Sequence, residues 1–123
     1  MIQITQTDGC ITIDGHAGYA PAGQDIVCAA VSALVATFLA SIEELTTDKI
    51  KATENEQGQI QTIQYKSLSA PGQVLLGSFF VGIRMIADNY PANVRIDLLV
   101  ERKKGKQKNA HRESSTYGQK GTA

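Results

Sequence analysis

Residues 15–28, GHAGYAPAGQDIVC, form the joint on which the rest of the chain depends. His16 ends a predicted strand, a loop of small residues follows it, and Cys28 falls in the first turn of a predicted helix. This order can bring an imidazole and a thiol together. The remaining elements are expected to form the scaffold that holds this joint.

Two short strands are predicted before the joint. Residues 2–5 and 11–14 each alternate apolar and polar side chains, and Asp8-Gly9 between them is a turn signal. This pattern is typical of a β-hairpin. The second strand should end at Gly15-His16, which places His16 at the edge of a sheet.

A long helix is predicted after the joint, over residues 26–45. Asp25 is its predicted N-cap, because its carboxylate can accept hydrogen bonds from the free amides of the first turn. The apolar residues keep the 3.6-residue period and are expected to face the sheet. They are Val27, Val31, Leu34, Val35, Phe38, Ile42 and Leu45. The apolar run 26–42 is short for a membrane span and is broken by polar residues, so we interpret it as a core helix with no membrane partner.

The second half of the chain repeats this order. Strands are predicted over residues 49–53 and 59–66, across the turn Glu56-Gln57-Gly58 and with a bulge between Ile60 and Ile63. A helix over residues 73–89 follows Pro71-Gly72, and a fifth strand covers residues 94–100. The apolar stripe of this helix is expected to comprise Val74, Leu75, Phe79, Gly82, Ile83, Ile86 and Tyr90. The order β-β-α-β-β-α-β predicts a two-layer α+β fold, with both helices on one face of a five-stranded sheet.

Length and charge suggest one domain with a tail. Residues 1–100 are predicted to form a single domain, and residues 101–123 lack a hydrophobic period and are expected to be disordered. The tail carries seven Lys or Arg against two Glu, a net charge of +5, so the body carries −5. The tail is expected to be solvated without a partner; the alternative is a weak electrostatic attraction to ribosomal RNA, and direct contact with nucleic acid would then occur only through the tail.

Cys28 and His16 are the candidate catalytic residues. A helix N-terminus and a neighbouring imidazolium both lower the pKa of a thiol, and the thiolate is the nucleophile. His16, twelve residues earlier, could take and return the proton. Free amides at the helix start, including that of Cys28, are candidate donors to an oxyanion.

Four further residues are candidates for supporting roles. Asp25 could orient His16, and Ser32 shares one side of the helix with Cys28 because it lies four residues later. Gly18 and Gly23 flank a loop that could open and close over a substrate as a lid.

Other interpretations of the cysteines stay open on spacing alone. Cys28 could be a buried structural residue of a binding module, or a redox-sensing thiol paired with Cys10. Cys10, His16 and Cys28 lack the paired spacing of a structural zinc site, so no metal and no cofactor is expected. Two thiols without a secretory leader suggest a reducing compartment, the cytoplasm.

The joint resembles the signature of the ribosomal-processing cysteine protease family, Prp. The resemblance rests on residues 15–17, GHA, on residues 23–32, GQDIVCAAVS, and on the spacing between His16 and Cys28. It implies that Cys28 is the nucleophile and His16 the base, with Asp25 and Ser32 at further signature positions.

The resemblance also implies a substrate and an assembly. Members of the family remove a short N-terminal extension from large-subunit ribosomal protein twenty-seven, which a working ribosome requires. They cut after a pair of aromatic residues in an apolar motif, and they are commonly homodimers. An apolar groove is then needed, and Tyr19, Leu39 and Phe79 are candidates to line it. The rival hypothesis is a non-catalytic, ribosome-associated binding module.

Overall fold

The structure, a computed structural model, describes residues 1–56 and 60–98. The elements are β1 Ile2–Thr7, β2 Cys10–Asp14, α1 Ile26–Leu45, β3 Ile50–Glu54, β4 Ile60–Tyr65, α2 Ala70–Asn89 and β5 Val94–Leu98. The predicted α+β order is confirmed. The turn at 57–58, the continuation of β5 to residue 100 and the tail 101–123 lie outside the described residues.

The five strands form one mixed sheet in the order β3-β4-β2-β1-β5. All neighbours are antiparallel except β1 and β5, which are parallel. The expected bulge between Ile60 and Ile63 is wrong, because β4 pairs without interruption with both β2 and β3. Ile60 and Ile63 are three residues apart in an alternating strand, so they simply point to opposite faces.

Alternation along the strands gives the sheet one apolar and one polar face. The buried strand residues all belong to the face that both helices cover: Ile2, Ile4, Ile11, Ile13, Ile63 and Val94. On the opposite face a row of threonines, Thr53, Thr62, Thr12 and Thr5, runs across four strands as successive partners. Burying one face of the sheet therefore fixes the register of its strands.

Helix α1 has the predicted bounds and cap. Five of its seven predicted core residues are buried, and Leu34 is half-buried against α2. A Cβ added to Gly82 of α2 would stand 2.8 Å from Leu34 Cδ1, so glycine lets the helices approach closely there. Leu45 is 66% exposed because it is the last helical residue, beyond the packed part of the sheet.

Helix α2 begins three residues earlier than predicted. Ser69 is its N-cap and accepts a hydrogen bond from the Gly72 N–H. Pro71 fits inside the helix because a first-turn residue has no intrahelical partner for its N–H. Val74 was expected in the core but is 70% exposed, whereas Phe80 is buried. Val74 lies nine residues from the buried Ile83, which is half a turn around the helix.

Both helices are long and apolar enough to cross a membrane, judged by length and composition alone. The core helix of a soluble protein meets the same two criteria. Here both contribute side chains to one core, where Phe38 of α1 packs against Phe79 of α2 with ring centroids 5.4 Å apart.

Candidate active site

Asp25 organises the start of α1 and the loop before it. Its Oδ1 accepts hydrogen bonds from the N–H groups of Val27 and Cys28, at 3.0 and 2.9 Å. Its Oδ2 accepts from the N–H groups of Tyr19 and Ala20, at 3.0 and 3.3 Å. One carboxylate therefore caps the helix and ties the loop to it.

These four bonds determine the protonation of Asp25. Desolvation raises the pKa of its carboxyl group, but the backbone donors from Cys28, Tyr19, Ala20 and Val27 together outweigh it and hold the pKa below the usual value. The group is thus a carboxylate at neutral pH. Both oxygens accept backbone N–H groups, and in the part of the chain that the structure describes neither bonds to His16, so the orienting role of Asp25 stays a prediction.

Cys28 lies three residues after the cap, in the first turn of α1, and is half-buried. Its Sγ accepts a hydrogen bond from the Ala17 N–H at 3.2 Å. Ala17 itself is 1% exposed and belongs to the core. The segment after β2 is thereby fixed against the thiol, and a backbone N–H donor faces the sulfur.

His16 is adjacent to this contact. Its carbonyl carbon is bonded to the Ala17 nitrogen, so the His16 Cα lies within about 6 Å of Cys28 Sγ. The imidazole is exposed, and within the described residues no hydrogen bond joins it to the thiol. The structure brings the two residues to one place, and rotation about χ1 decides whether the ring reaches the sulfur.

Two of the expected oxyanion donors at the helix start are already engaged. The Val27 and Cys28 N–H groups both point at Asp25 Oδ1. The donor that faces the sulfur comes from the other side of the joint, from Ala17. Backbone amides carry no side-chain signal, so this donor could not be recognised from the sequence.

The remaining predicted residues surround the joint without direct bonds to the thiol. Ser32 is exposed on α1, one turn after Cys28, and bonds to neither His16 nor Cys28 in the part of the chain that the structure describes. Gly18 and Gly23 both have positive φ, +70° and +86°, and delimit the loop as predicted. Its use as a lid stays a prediction.

Gly15 supports the joint by close backbone approach. Its φ is +96°, and an added Cβ would stand 2.6 Å from the Met1 carbonyl oxygen. A Cβ on Gly18 would lie 4.0 Å from the Met1 nitrogen. The turn from β2 to His16 therefore requires glycine at position 15, since a side chain there would clash with the Met1 carbonyl.

Cys10 is remote from Cys28. It opens β2, whereas the Ala17 contact follows the other end of that strand. It also points to the sheet face opposite the helices, since its neighbour Ile11 is buried in the core. Both cysteines are free thiols. Among residues 1–56 and 60–98, no three His, Cys, Asp or Glu side chains gather as a metal site would require.

The surface around Cys28 has exposed apolar side chains. Met1, Tyr19 and Ile26 are each about half exposed, and the Tyr19 ring meets that of Tyr90 edge-to-face with centroids 5.4 Å apart. Phe79, expected in a groove, is instead 3% exposed and belongs to the core. Leu39 is half-buried against that core.

A separate cleft of about 690 Å³ lies between α2 and the sheet. Its lining includes Gln6, Tyr65 and Leu98, which stand at the carboxyl ends of β1, β4 and β5. Tyr65 donates its N–H to the Gly9 carbonyl, at the opposite end of β2 from Gly15. The cleft is therefore not part of the joint around Cys28.

Two known proteins are similar to this chain over most of its length. The ribosomal processing cysteine protease Prp of Mycoplasma genitalium is 31% identical over 99 residues, which is 79% of this chain and 95% of that protein. The protein of the same name from Staphylococcus aureus is 28% identical over 90 residues, 71% of this chain and 83% of that protein.

Solved structures resemble the fold closely. The essential ribosomal processing protease Prp of S. aureus, with a covalently linked product peptide, superposes with a TM-score of 0.76 at 26% identity, covering 80% of this chain and 99% of that one. SMU.848 from Streptococcus mutans gives 0.71 at 29% identity, covering 82% and 96%. The family model described as cysteine protease Prp matches residues 1–95. The chain belongs to the cysteine protease Prp family.

Proposed function

We propose that this chain is a cysteine endopeptidase that removes the N-terminal extension of large-subunit ribosomal protein twenty-seven. The single observation that carries the proposal is the position of Cys28. Its thiol stands in the first turn of α1, accepts the Ala17 N–H at 3.2 Å and lies beside His16. A related protein of S. aureus has been captured with a covalently linked product peptide, as a nucleophilic mechanism requires.

The acylation step uses the Cys28 thiolate. Its sulfur attacks the scissile carbonyl carbon, and the π electrons of the carbonyl move to its oxygen. When the tetrahedral intermediate collapses, the C–N bond breaks and protonated His16 gives its proton to the departing amine. The products of this step are a thioester on Cys28 and the released amine fragment.

In deacylation His16 acts as the base instead of the acid. Neutral His16 takes a proton from water, the resulting hydroxide attacks the thioester carbon, and the C–S bond breaks with return of the thiolate. Rotation of the exposed His16 side chain toward the sulfur accompanies both steps. Catalytic hydrogen bonds are often formed only in the substrate complex, so an open resting position is compatible with this role.

The surface around the thiol suits an apolar substrate. Met1, Tyr19 and Ile26 expose apolar area on the elements that build the joint. Large exposed apolar side chains gathered at one site are typical of binding surfaces. We infer that they receive the apolar, aromatic-containing motif that the family resemblance implies.

Assembly and location follow from the same resemblance. We infer that the chain forms a homodimer and acts in the cytoplasm, where two free cysteines stay reduced. Light scattering of the full chain distinguishes monomer from dimer, and fractionation of cells distinguishes the compartments.

The test of the proposal is cleavage of a peptide that carries the extension and its aromatic pair. Cys28→Ser should reduce cleavage by at least about a thousandfold, because an alcohol is not activated at neutral pH as a thiol is. Cys10→Ser is the matched control, since Cys10 faces the other side of the sheet, and it should cleave at the wild-type rate. Undiminished cleavage by Cys28→Ser would contradict the proposal.

The rival hypothesis, a non-catalytic binding module, makes the opposite prediction. It requires a buried thiol that resists iodoacetamide at neutral pH and a His16→Ala variant with full function. The half-burial of Cys28 and its N–H donor from Ala17 favour a reactive thiol.

A further inference from the structure

Both backbone polar groups of Ala17, its N–H and its carbonyl, are hydrogen-bonded to side chains. Its N–H donates to Cys28 Sγ, and its carbonyl accepts a hydrogen bond from Asn93 Nδ2 at 2.9 Å. Asn93 is separated from Ala17 by 76 residues and lies just after α2. The contact therefore links the catalytic joint to the opposite end of the domain's sequence.

The backbone of Asn93 is itself fixed. Its N–H donates to the Tyr90 carbonyl at 2.9 Å, and its carbonyl accepts from the Ile2 N–H at 2.8 Å. These bonds join the end of α2 to the start of β1 and do not involve the side chain. Among the residues that the structure describes, the side-chain amide bonds to Ala17 on the joint and to no other partner, so its loss should leave the surrounding backbone bonds in place.

The direction of the Ala17 N–H matters for the reaction. In the tetrahedral intermediate the negative oxygen sits on the carbon bonded to Sγ, within a few ångströms of the sulfur. The Val27 and Cys28 N–H groups already donate to Asp25, whereas the Ala17 N–H donates to the sulfur itself and so stands beside this position. A donor fixed before the reaction stabilises the oxyanion without reorganisation.

We propose that Asn93 is a positioning residue that aims the Ala17 N–H at Cys28 Sγ, and that this N–H is the donor to the oxyanion. In the resting enzyme the same N–H stabilises the thiolate. This proposal rests on the proposed protease function for its second part only, because the effect on the thiolate can be measured without a substrate.

The first experiment measures the thiol. In a Cys10→Ser background, so that Cys28 alone is followed, the rate of alkylation by iodoacetamide is recorded from pH 5 to pH 10. Asn93→Ala and Asn93→Asp both remove the donor to Ala17. Each should slow alkylation near pH 6.5 by about three- to tenfold, because the donor that faces the sulfur is no longer held in place.

Asn89→Ala is the matched control. Asn89 is an asparagine four residues earlier whose side chain donates to the Met85 carbonyl within α2. It should leave the profile unchanged. Asn93→Asp keeps the shape of the side chain, so it supplies the readout if Asn93→Ala does not fold. Profiles for the Asn93 variants that coincide with that of Asn89→Ala would overturn the positioning role.

The second experiment measures peptide cleavage by the same folded variants. Loss of a single oxyanion donor costs about 100-fold in kcat, and partial misalignment should cost about ten- to 100-fold with KM within twofold. An alkylation shift with unchanged kcat would overturn the oxyanion role of Ala17. If the wild-type chain cleaves no peptide, the protease function fails, while the alkylation profiles still decide whether Asn93 positions the joint.

Discussion

Residues 66–72 lead from β4 into α2 much as residues 15–28 lead from β2 into α1, so they form a second joint. This second joint contains neither a cysteine nor a histidine. Each β-β-α half passes from a strand into a helix whose cap side chain accepts the N–H of the residue three positions later. At α1 the pair is Asp25 and Cys28, and at α2 it is Ser69 and Gly72. Two helix starts with similar capping therefore differ in what stands at the third position.

The connections before the two helices also differ. Eleven residues, 15–25, join β2 to α1, whereas four residues, 66–69, join β4 to α2. At α2 the carboxylate of Asp48 accepts hydrogen bonds from both the N–H and the hydroxyl of Ser69. A Cβ on Gly72 would collide with that carboxylate. At the short connection there is no room for a side chain at position 72, whereas at the long connection the Cys28 thiol is half-exposed.

A capped helix start is therefore not sufficient to make a reactive site. The partial positive charge of a helix N-terminus is available at both joints. At α1, in contrast to α2, a long loop places the Ala17 N–H and His16 beside the first turn of the helix. Loop length and the residue at the third position separate the reactive joint from the structural one.

The largest expected difference between the joints comes from removing the caps. Asp25→Ala deletes the acceptor of four backbone N–H groups and releases the loop, so kcat/KM for the peptide should fall at least about tenfold. Ser69→Ala should lower the free energy of unfolding by about 1 kcal/mol and leave kcat/KM within twofold. Peptide kinetics and urea unfolding of both variants measure this. Equal losses of activity in the two variants would contradict the assignment of the reactive site to the start of α1.

Smaller differences are expected from adding a methyl group at each joint. Gly15→Ala places a Cβ against the Met1 carbonyl at a positive φ, which should displace His16 and lower kcat several-fold. Gly72→Ala pushes on the Asp48 carboxylate and should destabilise the fold by about 1 kcal/mol. Activity per folded molecule of Gly72→Ala should match that of wild type. A larger loss of activity in Gly72→Ala than in Gly15→Ala would contradict the assignment of the site to the first joint.

The smallest expected effect is a dependence on pH. The pKa of Asp25 is lower in the folded than in the unfolded chain, so its charge stabilises the fold above the unfolded pKa of about 3.9. That contribution is lost as pH falls through the folded pKa. Thermal melts from pH 7 to pH 2 should show Asp25→Asn less stable than wild type at neutral pH, with the difference vanishing in acid. A difference in Tm that stays constant over this range would contradict the role of the charge.

Local patterns were sufficient to predict most of the scaffold. The 3.6-residue period of apolar residues predicts the bounds of α1, and Asp25 predicts its cap. Both signals are local, because each depends only on residues close together in the sequence. Val74 was placed wrongly because α2 is apolar on much of its surface, and packing against α1 and the sheet decides which side is buried. Propensity alone carries no information about that choice.

The site was only partly predictable for a related reason. Cys28 and His16 are candidates because of their residue types and their place beside a helix start, and the structure brings their backbones together. The donor to the sulfur is a backbone N–H, and its support from Asn93 crosses 76 residues. A contact between residues so far apart in the sequence depends on the pairing of β5 with β1 in parallel. No local sequence pattern specifies that pairing.

The position of Met1 has a practical consequence for expression of the protein. Its nitrogen lies close to Gly18, on the loop beside the thiol. Residues fused ahead of Met1, such as an affinity tag, would start next to the surface that we propose receives the substrate, where they would compete with added peptide. Assays of this protein are therefore best designed with the tag placed at the other end of the chain or removed before measurement.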